Sequence, residues 1–118
     1  LYTIVRIKSI LNKYKEQGGS VEKAVIGQAS GQSEKTLMLT LSRFNAVCEN
    51  AFEEKAPHKI CSYIYELANN FNSFYHGTRI LAEENPEQKA SWIALLDLTR
   101  EVLEQSIDLL GFSAPERM

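Results

Sequence analysis

The sequence has few residues of the kinds that cross-link a chain or interrupt its helices. Its 118 residues include 2 Cys, 3 Pro, 6 Gly and 1 Trp. Two cysteines are too few for the multi-bridge framework of a small secreted domain, and neither has a ligand-like neighbour at metal spacing. We therefore expect Cys48 and Cys61 to be buried or half-buried thiols, and nothing in the sequence supports a disulfide.

Long hydrophobic runs are also missing. No stretch approaches the roughly 18 consecutive apolar residues that would span a bilayer. Arg6 and Lys8 interrupt the one apolar run near the N-terminus, so no signal peptide is visible. These absences predict a cytoplasmic protein without a membrane partner. Because the chain opens at Leu1 rather than Met, we expect it to be a fragment of a longer protein.

Catalytic motifs are absent as well. The sequence contains no glycine-rich phosphate loop and no Ser/His/Asp or Cys/His arrangement with supporting context. His58 and His76 are too far apart to form a helical metal pair, and no carboxylate cluster accompanies them. The sequence therefore predicts no catalytic residue, no metal site and no cofactor in this chain.

Charge is spread unevenly along the chain. The formal net charge of −2 disfavours nucleic acid as a partner. Residues 1–15, however, carry four basic residues and no acid, whereas residues 83–108 carry seven acids and two bases. A protein with this distribution can present one basic face for phosphate, or simply two ordinary solvated helix faces.

Apolar residues recur at helical spacing throughout, which predicts an all-α fold. Asn85 followed by Pro86 is a helix start signal, and Gly111 predicts the end of the last helix. We expect a single domain over residues 1–118, a mostly antiparallel bundle of four long helices and one short helix. The predicted helices are 2–16, a short one over 21–28 with Ser20 as its cap, 33–55, 57–84 and 86–110.

One predicted helix carries aromatic and amide residues beside its apolar stripe. At about 100° per residue, Asn72, Tyr75 and Arg79 fall on one flank of this helix, at the edge of the core. A border Tyr and a planar Arg cation suit unstacked RNA bases and phosphate. The same residues also occur on ordinary amphipathic helices. The larger aromatic residues Phe71, Phe74 and Trp92 are expected in the core.

Three segments resemble one protein family. Residues 63–75 spell Tyr-x-Tyr-Glu-Leu-Ala-x-x-Phe-Asn-x-Phe-Tyr, residues 109–118 end in Leu-Leu-Gly-Phe-x-x-Pro-Glu-Arg-Met, and residues 2–10 contain Tyr-x-x-x-Arg-x-x-Ser-Ile. These resemble the C-terminal DALR anticodon-binding domain of arginyl-tRNA synthetases. The three matches occur in the family's order and extend essentially from end to end of the chain.

The resemblance implies a role for each matching position. Tyr2 and Arg6 would face the anticodon arm of arginine tRNA, and Tyr75 would stack on or hydrogen-bond an anticodon-loop base. Arg79, one turn further, would belong to the same surface. The side chain and free carboxylate of Met118 would also contact a base.

The resemblance further implies that the enzymatic activity belongs to a part of the protein outside this chain. ATP with Mg²⁺ would be used by a catalytic domain that precedes these residues, and this domain would orient the tRNA for aminoacylation. DNA is not an expected partner. The alternative function is a helical protein-interaction or dimerisation module without RNA binding, which the negative net charge favours.

Overall fold

The structure, a computed structural model, describes residues 2–21, 24, 26–27 and 31–113. Within those residues there is no strand, and the predicted all-α class is confirmed. The helices are α1 (Tyr2–Glu16), α2 (Gln32–Ser42), α3 (Phe44–Glu53), α4 (Pro57–His76) and α5 (Pro86–Ser113).

The helix predicted over 33–55 is divided at Arg43, so the expectation of one continuous helix there was wrong. The Arg43 backbone has φ −87° and ψ 0°, and its N–H donates to the Thr40 carbonyl three residues earlier. This tighter turn ends α2, and α3 begins at the next residue. Both short helices pack against α4, and the Arg43 side chain donates to Glu66 of α4 at 2.5 Å.

Helix α4 ends at His76 rather than near residue 84. Gly77 follows it, and glycine is about 1 kcal/mol less favourable than alanine inside a helix. Ile80 is nevertheless buried and Leu81 packs against the core. A non-helical segment therefore carries these apolar residues, where their spacing had predicted a continuing helix. Arg79 lies in this segment, beyond the helix whose flank it was predicted to share.

The short helix predicted over 21–28 falls partly on residues 22, 23, 25 and 28, which lie outside the described residues. Those of the stretch that are described, at 21, 24, 26 and 27, are not helical. The Gly27 N–H donates to Ser91 Oγ of α5 at 2.7 Å, which anchors this connection to the bundle. Helix α5 also continues through Gly111 to Ser113, past its predicted end.

Helix α4 packs against α2, α3 and α5. Leu67 and Phe71 are fully buried, and Phe74 is nearly so, as predicted for the core. Polar contacts fix α4 against α2: the Tyr63 hydroxyl donates to the Thr40 carbonyl at 2.7 Å, and Asn70 donates to Thr40 Oγ1 at 2.7 Å. Trp92 of α5 is partly buried and packs edge-on against Phe74.

Candidate nucleic-acid interface

The first two turns of α1 carry the candidate residues Tyr2 and Arg6. Thr3, Ile4 and Ile7 are buried, whereas Tyr2 is 79% exposed. Residues four apart lie on the same side of a helix, so the exposed Tyr2 and the half-buried Arg6 form one ridge. Tyr2 is therefore an open aromatic surface rather than a residue at the core edge.

Arg6 connects this ridge to α4. Its guanidinium carbon lies 5.8 Å from the ring centroid of Tyr2 and 5.0 Å from that of Tyr75. Its Nη1 donates to Asn72 Oδ1 at 3.5 Å, a long hydrogen bond. The structure thus brings together four of the predicted site residues, Tyr2, Arg6, Asn72 and Tyr75, which we call the Arg6 cluster.

Tyr75 is the more buried of the two rings in the cluster. It stacks on Phe71 with centroids 5.9 Å apart and planes 22° apart, and it meets His76 edge-on at 5.5 Å. With Arg6 as a third neighbour, the ring is already contacted by three side chains. Of the two rings, Tyr2 is therefore the open one, while Tyr75 packs against both Phe71 and the Arg6 guanidinium.

The cations of α1 differ in their partners. Lys8 forms an ion pair with Glu104 of α5 at 3.5 Å. A hydrogen bond from Arg100, together with the nearby Lys8 charge, lowers the pKa of the Glu104 carboxyl. Within the part of the chain that the structure describes, Arg6 and Lys13 form no ion pair with a carboxylate, so they keep positive charge available to a phosphate.

Arg79 lines a pocket beside the cluster. The pocket has a volume of about 430 Å³ and lies between α1 and the segment that follows α4. Tyr75 belongs to both the Arg6 cluster and this pocket, so Arg79 shares one surface with the cluster although it is not on α4. The residues that shape the pocket include Ile10, Lys13, Tyr75, His76, Arg79 and Leu81.

Two basic side chains of the pocket, Lys13 and His76, were not among the predicted site residues. A sequence signal existed for Lys13: it follows Arg6 by seven residues, which returns it to almost the same side of α1. No comparable signal placed the residues after α4, because the helix was expected to continue there. Met118 lies outside the described residues.

Other kinds of site find no support in the described ranges. No group of three or more His, Cys, Asp or Glu residues there could hold a metal ion. None of the helices in those ranges has the length and apolar character needed to cross a membrane. Cys48 and Cys61 are half-buried and free.

Comparisons with known proteins agree with the resemblance. The family model of the DALR anticodon binding domain matches residues 1–118. An arginine–tRNA ligase of Agathobacter rectalis is 62% identical over 120 residues, and those of Alkaliphilus oremlandii and Hyphomonas neptunium are 50% and 42% identical over 118 residues. Each match includes the whole of this chain but only 20% of the relative's length. The chain therefore belongs to the DALR anticodon binding domain family.

Proposed function

We propose that this chain binds the anticodon stem-loop of arginine tRNA as one domain of an arginine–tRNA ligase. The observation that carries the proposal is the position of Arg6, between the exposed ring of Tyr2 and the fixed ring of Tyr75. A planar cation beside an open aromatic ring suits an RNA loop, whose unstacked bases stack on rings and whose phosphates attract cations.

Each member of the Arg6 cluster has a distinct part in this proposal. Tyr2 provides the exposed surface on which a loop base stacks, and Arg6 contacts a phosphate or extends the stack. Tyr75 and Asn72 hold the guanidinium in place from α4. Since these contacts exist without RNA, little side-chain freedom is lost when RNA binds. Met118 stays a predicted contact from the end of the chain.

The same proposal explains how an acidic chain can bind RNA. Two acids of α5 are engaged by other cations: Glu104 pairs with Lys8 of α1 and with Arg100, and Asp97 pairs with Arg100. The surface that carries Arg6, Lys13 and Arg79 is lined by cations. Local potential, rather than net charge, decides where a phosphate binds.

The chemistry of aminoacylation would reside outside this chain. Neither the His-x-Gly-His nor the Lys-Met-Ser-Lys-Ser signature of class I synthetases occurs in the sequence. The described residues contain no group of three or more His, Cys, Asp or Glu residues that could hold a metal ion, and we assign ATP with Mg²⁺ to a part of the enzyme outside this chain. In a cytoplasmic parent enzyme, a separate catalytic domain would bind ATP with Mg²⁺. The present chain, as a single domain, would orient the tRNA by binding its anticodon arm.

The alternative of a helical interaction module is not supported by the relatives, which are arginine–tRNA ligases. A direct test is titration of the 118-residue chain with an arginine-tRNA anticodon stem-loop and with the same hairpin carrying a changed anticodon. We expect tighter binding to the cognate loop. Equal or undetectable binding to both hairpins contradicts anticodon reading by this chain.

A further inference from the structure

The pocket beside the Arg6 cluster has the composition of a nucleotide site. We propose that it binds one unstacked nucleotide of a single-stranded RNA loop, with Lys13 on the phosphate and Arg79 against the base. This proposal rests on the proposed function, and it adds a second binding position to the one at Tyr2 and Arg6. The resemblance places Tyr75 and Arg79 on the anticodon surface, but neither it nor the relatives assign a role to Lys13 or to the pocket that these residues line together.

The size and the lining of the pocket suit a small ligand that has an apolar face. Its volume of about 430 Å³ falls within the range of about 300–1,000 Å³ that is usual for small-molecule sites. Apolar side chains line part of it, among them Ile10, Ile80 and Leu81. A bare phosphate gains nothing from such a surface, whereas a base can cover it. The apolar lining therefore points to a nucleotide rather than to an inorganic anion.

The charges lining the pocket favour a phosphodiester. The cations Lys13 and Arg79 line it beside His76, and none of its described lining residues is acidic. Lys13 and Arg79 are exposed and form no ion pair with the described carboxylates. A lysine ammonium is a mobile point charge suited to phosphate, and an arginine plane can stack on a base.

The pocket continues the Arg6 cluster along α1. Residues seven apart on a helix are turned by only about 20° relative to each other and lie about 10 Å apart along the axis. Arg6 and Lys13 therefore share one face of α1, and Tyr75 connects the cluster to the pocket from α4. A strand of RNA that places one base near Tyr2 and Arg6 can place a nearby nucleotide in the pocket.

The pocket favours a single-stranded loop over duplex RNA. The pocket accepts a base only after that base has left its stack, and unstacked bases occur in single-stranded loops. Thr78 also lines the pocket, and a threonine hydroxyl can hydrogen-bond the edge of such a base. Duplex RNA would offer only its backbone and sugars here, and the apolar lining would stay uncovered.

The test compares Lys13→Gln and Arg79→Gln with Lys15→Gln, an exposed cation in the same last turn of α1 that does not line the pocket. The RNA probes are the arginine-tRNA anticodon stem-loop and versions in which each loop base in turn is removed to leave an abasic nucleotide. Affinity is measured at several salt concentrations, and thermal unfolding verifies that each variant is folded.

We expect Lys13→Gln to weaken binding and to reduce the slope of log K against log salt by about 0.7, the value for one single-stranded phosphate contact. Lys15→Gln should leave this slope almost unchanged. We expect an abasic nucleotide at one loop position to weaken binding to the unmodified chain. The same abasic RNA should lose much less affinity for Arg79→Gln, because that variant has already lost the contact to the base.

Three results overturn the proposal. If Lys13→Gln and Arg79→Gln bind like the unmodified chain while an Arg6 variant binds weakly, the pocket is unused although the proposed function stands. If Lys13→Gln changes the salt slope but every abasic position costs as much affinity in Arg79→Gln as in the unmodified chain, the pocket holds only a phosphate and no base enters it. If the unmodified chain does not bind the hairpin at all, the proposed function fails as well.

Discussion

The guanidinium carbon of Arg6 on α1 lies 5.0 Å from the ring centroid of Tyr75 on α4. The two residues are 69 positions apart in the chain, and their contact joins the edges of two helices at the candidate interface. Cation–π pairs at exposed sites are worth about 0.5–1 kcal/mol, so the contact adds little to folding. Its consequence is to hold a planar cation in a fixed orientation where RNA is proposed to bind.

Two substitutions of Arg6 test its positive charge and its planar guanidinium group separately. We expect Arg6→Gln to weaken binding of the anticodon stem-loop and to lower the salt slope by about 0.7. Arg6→Lys should keep most of that slope yet bind less tightly than arginine, because an ammonium cannot stack as a plane. Affinity at several salt concentrations measures both. The matched control is Lys35→Gln, an exposed cation on α2, and an equal loss in that variant would contradict a specific role for Arg6.

Truncation of the two tyrosines should have different effects. Tyr2→Ala removes an exposed ring, so we expect a loss of about 1–3 kcal/mol in RNA binding without loss of stability. Tyr75→Ala removes a ring that packs against Phe71 and the core, so stability should fall by about 1–3 kcal/mol as well. Isothermal titration and denaturant unfolding measure the two quantities.

The control for Tyr2 is Tyr65→Ala, because Tyr65 is 64% exposed on α4 and has no part in the Arg6 cluster. Tyr65→Ala should change neither the RNA affinity nor the free energy of unfolding appreciably. If Tyr2→Ala binds the hairpin as tightly as the unmodified chain, Tyr2 is not the stacking surface.

Stability at high pH should depend on Tyr63. Burial raises the pKa of Tyr63 from 10.0 to about 12. Between these two values the unfolded chain has released a proton that the folded chain retains, so stability falls as pH rises, by at most about 1.4 kcal/mol per pH unit. Urea unfolding at pH 9.5 and pH 11.5 measures this loss.

Tyr63→Phe should show a smaller loss over the same interval, since it has no proton to release there. At neutral pH this variant should be less stable by about 1 kcal/mol, because the hydrogen bond from the Tyr63 hydroxyl to the Thr40 carbonyl is removed. Tyr65→Phe, at an exposed position, serves as the control. Equal pH dependence in the two variants would contradict the raised pKa of Tyr63.

The start of α5 provides a test of the fold alone. Asn85 Oδ1 accepts hydrogen bonds from the N–H groups of Glu87 and Gln88 at 3.0 and 3.3 Å. Asn85→Ala should therefore lower the free energy of unfolding by about 0.5–2 kcal/mol, as for other helix caps, and leave RNA affinity unchanged. Asn69→Ala, exposed within α4, should not destabilise. A drop of the same size in both variants would show that Asn85 has no special capping role.

The helix ends show how much of the fold was predictable. The cap at Asn85 and the end of α1 before Gly18 follow from local chemistry, and both were predicted. Gly18 adopts φ +90°, which a residue without Cβ tolerates. The break at Arg43 was not predicted, and it lies where α2 and α3 each pack against α4. The end of α4 at His76 was missed although Gly77 marks it in the sequence, because the apolar residues that follow favoured a longer helix.

The candidate site was likewise predictable only in part. Motif spelling selected Tyr2, Arg6 and Tyr75 by residue type, helical spacing added Asn72, and the apolar spacing assigned Phe71 to the core. Only the packed bundle brings Arg6 against Tyr75 and creates the pocket that Lys13 and Arg79 line. Local hydrogen bonding and side-chain periodicity depend on neighbours in the chain, so the sequence by itself determines them. Contacts between α1 and the end of α4 depend on how distant apolar faces fit together, which tertiary packing alone decides.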